Sequence, residues 1–347
     1  MSCTSPLKGV IIGKDIVTGK KIVKVLSRHD DSFSGYETFP IPCGNCMECR
    51  LEYSRQWANR CMMEAKYHER SVFVTLTYND LHVPRRLYRP KGSFNSKSCF
   101  SLCKRDLQLF FKRLRKKFPA CHIRYFGCGE YGPDTLRPHY HAILFGVDFP
   151  DKELLPNKSK TGQVMYSSKI LDKLWSFPPR LLGESYSPNP DPEIRAREES
   201  AGMAIVQDVT WETCAYTARY VTKKLKGPYA DFYKDRNMEP PFCCMSRRPG
   251  IARQYYDDHP DLWDYDFIHV STPDGGKKFR PPKYFDRLYS EDQPELAEAM
   301  KEVRAALAKE QEMLKNSRIE LDSEEYLDLR AEVTQDKINM LGRNGVK

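Results

Sequence analysis

The feature that most constrains this 347-residue chain is a strand-like segment that begins with two histidines. His139 and His141 are separated by one residue, and the apolar run 142–145 follows them. Side chains alternate between the two faces of a β-strand, so both imidazoles point to the same face. The pair can therefore bind one divalent metal ion while the strand packs into a sheet. A His-x-His pair also occurs by chance on strands, so the metal hypothesis depends on a further ligand.

Glu130 is the candidate for that third ligand. Residues 122–127 predict a second strand, and a turn through residues 129–134 joins it to the histidine strand. A connection this short allows antiparallel pairing, which would place Glu130 near His139 and His141. Two imidazoles and one carboxylate leave coordination positions open for a phosphate oxygen. This arrangement suits Mg²⁺ or Mn²⁺ in a catalytic role.

A pair of tyrosines gives such a metal ion something to act with. Residues 210–226 predict a helix on which Tyr216 and Tyr220 share one face, and Lys223 continues that face. The chain contains 20 tyrosines, so the same spacing also fits an aromatic stripe that faces the core. A phenol, with a pKa near ~10, needs proton removal or a polarised target to act as a nucleophile. A metal ion on a phosphodiester and a nearby lysine would meet that need, which indicates DNA strand transfer through a phosphotyrosine.

The charge of the chain is unevenly distributed. The formal net charge is +9, and residues 291–347 contribute −5 through 14 acidic and 9 basic side chains, which leaves +14 on residues 1–290. We therefore expect a polyanion as partner, with aromatic side chains stacking on unpaired bases. The basic runs are either phosphate contacts or solvated surface. The predicted DNA contacts are Lys112, Arg113, Arg115, Lys116, Arg247 and Arg248.

Three of the twelve cysteines follow one another at intervals of three residues. Cys43, Cys46 and Cys49 can bring thiolates from a turn or a helix start to one ion, for which Zn²⁺ is the usual occupant. Cys3 and Cys61 are the candidates for a fourth ligand. Three free or buried thiols are the alternative, and an iron–sulfur cluster fits the motif less well.

Several functional classes are not indicated. No apolar run approaches the ~20 residues that span a bilayer, and the N-terminus has no secretory pattern. We therefore expect a cytoplasmic protein with no membrane partner and no disulfides. The Gly-x-x-x-x-Gly-Lys-Ser/Thr motif is absent from the sequence, so we expect no ATP hydrolysis.

The segments divide the chain into three predicted regions. Residues 1–42 are strand-rich, residues 43–290 form the main domain with the cysteine cluster at 43–49 and a polar insertion at about 150–200, and residues 291–347 predict two acidic helices. The predicted elements of the main domain are helices at 48–70 and 101–118 and strands at 72–78, 122–127 and 203–209.

Together these motifs resemble those of the HUH endonucleases that initiate rolling-circle replication. The matching segments are residues 73–78 (FVTLTY), 129–132 (GEYG) with 137–141 (RPHYH), and 216–223 (Tyr-x-x-x-Tyr-Val-x-Lys). The two-tyrosine form is similar to the replication initiators of small single-stranded DNA phages. Residues 42–50 (PCGNCMECR), 245–251 (MSRRPGI) and 282–285 (PKYF) resemble the initiators of gokushovirus-type microviruses. The resemblance covers residues 40–290.

The resemblance implies a fold, an activity and partners. The fold is α+β, a central antiparallel sheet flanked by helices, followed here by a C-terminal helical extension. His139, His141 and Glu130 would bind the metal, and Tyr216 and Tyr220 would nick the origin and later rejoin the displaced strand. The partners would be single-stranded or nicked-origin DNA, a host helicase and a host DNA polymerase in the cytoplasm of a bacterium. Ala252 stands where the pattern commonly has glycine.

Two rival functions make different predictions. A relaxase of a mobile element is one, although relaxases usually carry their tyrosine near the N-terminus and a third histidine. A non-catalytic, zinc-dependent nucleic-acid-binding protein is the other. It would bind DNA tightly without Tyr216 and Tyr220 and would form no covalent adduct.

Overall fold

The structure is a computed structural model. It describes residues 3–17, 19, 21–33, 35–159, 162–178, 199–219, 231–263, 267–272, 275–316 and 323–340. The chain forms two compact units, one from Met1–Tyr53 with Lys283–Lys347 and the other from Ser54–Pro282.

The described elements are numbered in chain order. The strands are β1 (Leu7–Lys14), β2 (Lys21–Leu26), β3 (Thr38–Ile41), β4 (Ser71–Thr77), β5 (Arg85–Tyr88), β6 (Lys97–Phe100), β7 (Arg124–Tyr131), β8 (Pro138–Phe145), β9 (Glu153–Leu154), β10 (Tyr166–Ser167), β11 (Ser176–Phe177), β12 (Glu199–Ser200), β13 (Ala204–Asp208), β14 (Phe242–Met245), β15 (Ile268–Thr272) and β16 (Gly275–Phe279). The helices are α1 (Met47–Ala65), α2 (Lys104–Lys117), α3 (Lys169–Leu174), α4 (Trp211–Arg219), α5 (Asp231–Asp235), α6 (Arg253–Asp258), α7 (Lys283–Asp292), α8 (Pro294–Asn316) and α9 (Ser323–Met340).

A large antiparallel sheet organises the Ser54–Pro282 unit. Among the described residues it has seven strands in the order β14-β7-β8-β4-β13-β10-β9. The three central strands are almost continuously apolar, rather than alternating, because helices cover both faces of the sheet. The shorter pairs β5–β6, β11–β12 and β15–β16 are two-stranded.

The two faces of this sheet carry different helices. One face packs against α2, α3 and the residues after α3, and its buried side chains include Val74, Leu76, Leu107, Phe110, Leu114, Tyr140, Leu144, Leu171 and Trp175. The other face packs against α4 and the part of α1 that belongs to this unit, and its buried side chains include Ala58, Cys61, Phe73, Phe126, Ile143, Phe145, Cys214, Ala218 and Ile251. The second face is the one to which the paired histidines point.

The unit formed by the two ends of the chain is built differently. Its sheet has the order β2-β1-β3 and is antiparallel throughout. Helices α7, α8 and α9 follow at the C-terminal end, as the acidic composition of that region predicted. Arg28, just after β2, forms ion pairs with Glu324 and Asp328 of α9. None of the described helices is both long and apolar enough to cross a membrane.

The predicted fold class is confirmed, since a large antiparallel sheet is flanked by helices and followed by a C-terminal helical segment. One local expectation was wrong, because β7 continues through the predicted turn to Tyr131 and includes Glu130. Gly127 and Gly129 had suggested a turn. Gly129 instead lies in the strand, where a Cβ would lie only 2.8 Å from the Phe242 ring of the neighbouring strand.

Candidate metal centre and nucleophile site

Strand register brings the three predicted metal ligands together. Glu130 on β7 lies directly opposite His139 on β8, and His141 lies opposite Thr75 on β4. Residues opposite one another in an antiparallel pair point to the same face. Glu130, His139 and His141 therefore share the face that packs against α4.

The three side chains converge on a single point. The Nε2 atoms of His139 and His141 lie 2.7 Å and 3.1 Å from the same oxygen, Oε1 of Glu130. One ligand atom from each residue lies within 4.8 Å of the others, so the group could hold a metal ion. Glu130 and His141 are buried, whereas His139 is half-buried, which leaves one side of the group open to solvent.

The far side of each imidazole is held by a hydrogen bond. His139 Nδ1 donates to the carbonyl oxygen of Arg137 at 3.1 Å, and His141 Nδ1 lies 3.0 Å from the hydroxyl of Thr75. A carbonyl can only accept, so the proton of a neutral His139 is on Nδ1 and its Nε2 lone pair faces Glu130. A lone pair that faces a carboxylate requires a cation between them, which is the arrangement found in metal sites whose histidines are fixed in this way.

The carboxylate of this group is ionised at neutral pH. Burial raises the pKa of Glu130, but the hydrogen bonds from His139 and His141 outweigh burial and lower that pKa to about 2. The site therefore offers a negative oxygen together with two nitrogens.

Tyr216 lies beside this group. Its ring meets the ring of His141 edge-on, with 5.0 Å between the centroids, and Phe73 stacks on His141 at 5.6 Å. Helix α4 is fixed to α1 by two hydrogen bonds, from Ser54 Oγ to the carbonyl of Ala215 and from the Trp211 indole to the Asn59 side chain. Tyr216 is half-buried, so part of its side chain is accessible. Tyr220 and Lys223, the other two predicted catalytic residues, lie outside the described residues.

The cysteine cluster forms a second group that could hold a metal ion. Cys43, Cys46 and Cys49 are joined by Cys3, and their sulfur atoms all lie within 4.8 Å of one another. Cys61, the other candidate for a fourth ligand, is instead buried in the core of the Ser54–Pro282 unit. Burial raises the pKa of the Cys46 thiol, but backbone hydrogen bonds from Cys49 and Thr4 lower it to about 7.

Comparison with known proteins gives the family. The family model described as replication-associated protein ORF2 matches residues 71–225, the range that contains Glu130, His139, His141, Tyr216, Tyr220 and Lys223. The chain is 30% identical over 267 residues to Replication-associated protein ORF2 of Spiroplasma virus 4, covering 76% of this chain and 71% of that relative. It is 26% identical over 307 residues to Replication-associated protein VP4 of Bdellovibrio phage phiMH2K, covering 85% and 79%. It is 29% identical over 216 residues to Replication-associated protein ORF4 of Chlamydia phage 1, covering 59% and 44%.

This chain belongs to the replication-associated proteins of gokushovirus-type microviruses. The resemblance that its motifs indicated is thereby confirmed. No solved structure matches it significantly.

The predicted DNA contacts of this replication-associated protein are not gathered at the candidate site. Lys112, Arg115 and Lys116 are exposed on α2, which covers the sheet face opposite the histidines. Arg113 packs on the ring of Phe177 and donates to the carbonyl of Ser176. Arg113 is thereby engaged with the protein itself.

Arg247 and Arg248 lie near the other end of the sheet. They are exposed and follow β14, whose last residue Met245 pairs with Phe126. Arg124, at the start of β7, is six residues from Glu130. At the rise of a strand this separation is roughly 20 Å.

The segment after these arginines is held by buried ionic contacts. Glu64 accepts from the guanidinium of Arg124 and, at 2.6 Å, from the backbone N–H of Ala252. Arg124 also donates to the carbonyls of Pro249 and Gly250 at 2.9 Å and 3.1 Å. Ala252 has φ +64°, which accounts for the glycine that the family pattern commonly has there.

Two residues of the site were not predicted from the sequence. Thr75 and Arg137 were not among the candidate site residues, yet each accepts or shares a hydrogen bond with the far nitrogen of one histidine. The guanidinium of Arg137 is fixed in turn by the carbonyl of Tyr78 and the carboxylate of Asp80. Both residues lie in motifs that carried the resemblance, so their register against the histidines was the available signal.

Proposed function

We propose that this replication-associated protein nicks one strand of the phage replication origin by tyrosine attack and later rejoins the displaced strand, in rolling-circle replication. The observation that carries the proposal is the contact of Tyr216 with His141, one of the two imidazoles that face Glu130. The family supplies the biological setting, because its members are replication-associated proteins of single-stranded DNA phages.

The donor set fits a divalent cation. His139, His141 and Glu130 would hold it through two nitrogens and one oxygen, with further positions left for phosphate oxygens. Imidazole nitrogens suit Mn²⁺ better than Mg²⁺, so of the two predicted ions we favour Mn²⁺ as the tighter ligand of this site. When bound, the cation would polarise the scissile phosphodiester.

The chemistry of the chain itself is a transesterification. The phenol oxygen of Tyr216 or Tyr220 attacks phosphorus, the bond from phosphorus to the 3′-oxygen breaks, and the phenol proton ends on the released 3′-hydroxyl. The 5′ end stays on the protein as a phosphotyrosine, which conserves the ester for rejoining. Lys223 is assigned the stabilisation of the phenolate charge.

The reaction defines the partners. The DNA at the site is single-stranded or nicked-origin DNA, and the freed 3′-hydroxyl requires a host DNA polymerase for extension. The chain has no nucleotide-binding loop of the P-loop type in its sequence, so a host helicase would unwind the duplex. These steps belong to the cytoplasm of a bacterial host.

A covalent-adduct assay tests the proposal. Incubation with origin-bearing single-stranded DNA and Mn²⁺ should yield a complex that survives denaturant, and His139→Ala should abolish it. The double variant Tyr216→Phe with Tyr220→Phe should also abolish it and leave DNA affinity nearly unchanged. Tyr36→Phe, at an exposed tyrosine of the other unit, is the matched control and should keep the adduct.

The same assay separates the rival functions. Tight DNA binding by the unaltered chain with no covalent product under any metal would favour the non-catalytic zinc-dependent protein. An adduct that persists in the double tyrosine variant would defeat the assignment of the nucleophiles.

A further inference from the structure

The sulfur atoms of Cys3, Cys43, Cys46 and Cys49 are close enough for one shared ion. Sγ of Cys3 lies 3.7 Å from Sγ of Cys43 and 3.7 Å from Sγ of Cys46. Four thiolates at ~2.3 Å from a central Zn²⁺ in a tetrahedron stand about 3.8 Å apart. Thiolates of a polynuclear iron–sulfur cluster bind different irons and therefore stand further apart.

The local fold explains why a residue 40 positions away joins the motif. Leu7 of β1 pairs with Ile41 of β3, so the chain just before β1 meets the chain just after β3. Cys3 and Cys43 lie in those two segments, and the backbone N–H of Cys43 donates to Sγ of Cys3 at 3.4 Å. Cys46 and Cys49 come from the start of α1.

The turn after Cys43 is shaped to present its sulfur. Gly44 has φ +70°, a conformation that favours glycine, and the N–H groups of Asn45 and Cys46 point to Sγ of Cys43 at 3.3 Å and 3.2 Å. Backbone N–H groups directed at sulfur stabilise a thiolate, because a charged acceptor makes the stronger hydrogen bond.

The N-terminal sheet has little other means of holding together. Of the described apolar side chains in its three strands, Val10 and Leu26 are the buried ones, while Ile11, Ile22, Val23 and Val25 are exposed. A small sheet with so little core usually needs a metal ion or disulfides. The four thiols of this cluster are free in the structure.

We propose that Cys3, Cys43, Cys46 and Cys49 form a closed structural Zn²⁺ site that ties the N-terminal segment and the end of β3 to the start of α1. All four positions of a tetrahedral ion are taken by sulfur, so the site has no position for substrate. This inference is independent of the nicking reaction.

Metal analysis of the purified full chain tests the site. We expect one zinc per chain, and replacement by Co²⁺ should give the absorption of tetrahedral thiolate coordination. Cys3→Ser should lose the zinc when challenged with a chelator that leaves it in the unaltered chain. Cys121→Ser, at an exposed cysteine outside the cluster, is the matched control and should retain it.

A measurement on the unaltered chain covers the case in which Cys3→Ser does not fold. Titration with an organomercurial should release one zinc as the cluster thiols react, and residues 3–49 should then exchange their amide hydrogens faster. A chain that contains iron instead of zinc, or one that contains no metal and whose four cluster thiols react freely in the native state, would overturn the proposal.

A second, independent inference concerns the β5–β6 hairpin. Residues 85–100 contain five basic side chains and no acidic one. Arg86, Arg89 and Lys97 are exposed and form no ion pair in the part of the chain that the structure describes. Phe94, in the turn of the hairpin, is 97% exposed.

The base of this hairpin adjoins the candidate metal site. Phe100, its last residue, lies under the guanidinium of Arg137 at 5.6 Å, and the carbonyl of Arg137 fixes the ring of His139. The hairpin therefore begins at the end of the sheet that carries His139, unlike Arg247 and Arg248.

We infer that the β5–β6 hairpin binds single-stranded DNA that enters the site, with its cations on phosphates and Phe94 stacked on an unpaired base. Cationic grooves combined with exposed aromatic rings are the usual means of binding single strands. The inference rests on the proposed function for the identity of the ligand as DNA.

Binding measured in EDTA, where no cleavage is expected, tests the hairpin separately from the chemistry. The triple variant Arg86→Gln, Arg89→Gln and Lys97→Gln should reduce the slope of log affinity against log salt by about 2 for a single-stranded oligonucleotide. Phe94→Ala should weaken binding about 5- to 100-fold. A charge-matched triple on α7 and α8, Arg287→Gln with Lys301→Gln and Lys309→Gln, should leave binding unchanged.

The competing surface is an arm of the same experiment. If the triple variant Lys112→Gln, Arg115→Gln and Lys116→Gln loses the salt slope and the hairpin triple keeps it, the inference is overturned. At saturating DNA the hairpin variants should still form the covalent adduct. Loss of the adduct in the unaltered chain would instead count against the proposed function.

Discussion

At the scale of single residues, the candidate site depends on where the protons of two imidazoles lie. Arg137 and Thr75 hold the Nδ1 atoms of His139 and His141, so both Nε2 atoms face the one carboxylate. A histidine whose far nitrogen is held in this way is a better metal ligand, because its tautomer and ring angle are fixed before the metal binds.

Thr75→Val tests this positioning role. The hydroxyl that holds His141 is lost while the size of the side chain is kept, and we expect Mn²⁺ affinity to fall about 10- to 100-fold. Calorimetric titration with Mn²⁺ measures the change, and Thr75→Ser should restore most of the affinity. Unchanged affinity in Thr75→Val would show that the hydroxyl does not position the ring.

Glu64 supports a second residue-scale prediction, on stability and pH. Burial raises the pKa of Glu64, but hydrogen bonds from His68, from the Ala252 N–H and from Arg124 lower it below its ordinary value. A lowered carboxyl pKa adds stability that is fully present above the unfolded value of ~4.3 and is lost as pH falls through the folded value.

Glu64→Gln should therefore destabilise the chain at neutral pH and matter less in acid. The substitution leaves Arg124 buried without its anion, so we expect the free energy of unfolding at pH 7 to fall by about 3–5 kcal/mol. Urea unfolding at pH 7 and pH 3 measures both values. The exposed Glu69→Gln is the control, and an equal loss at both pH values would contradict the ionic explanation.

At the scale of elements, the sequence predicted the structures that have a strong period and missed those that do not. The predicted strand at 72–78 and helix at 101–118 are observed as β4 and α2 because an unbroken apolar run or stripe specifies them. Strands β9 and β10 have two residues each, which is too short for any period. The polar insertion therefore adds strands to the main sheet that its sequence did not indicate.

Helix α4 carries an element-scale prediction because it places Tyr216. Ala218 is fully buried on α4 against the sheet face that holds the histidines. Ala218→Leu should push the helix outward at a cost of about 1–3 kcal/mol in the free energy of unfolding. Adduct formation should fall while Mn²⁺ affinity stays the same, because the metal ligands lie on strands. A parallel loss of both would indicate general unfolding.

At the scale of the whole molecule, sequence spacing predicted ligands that are close along the chain and missed those joined by long-range pairing. Glu130 was assigned to the histidines because one short connection separates them, whereas Cys3 joins its cluster through the β1–β3 pairing. The distribution of basic residues predicted a polyanion as partner. The face on which each basic run lies was not predictable, because it depends on which side of the sheet α2 packs.

The account makes its central claim at a single chemical bond, the ester between a tyrosine of α4 or the residues after it and a DNA 5′ phosphate. Proteolysis of the denaturant-resistant adduct followed by mass spectrometry identifies the linked residue directly. The account predicts nucleotide-bearing peptides that contain Tyr216 or Tyr220, with linkage confined to Tyr220 in Tyr216→Phe. Linkage to any other residue, or no linked peptide with Mn²⁺ and origin DNA present, would contradict it.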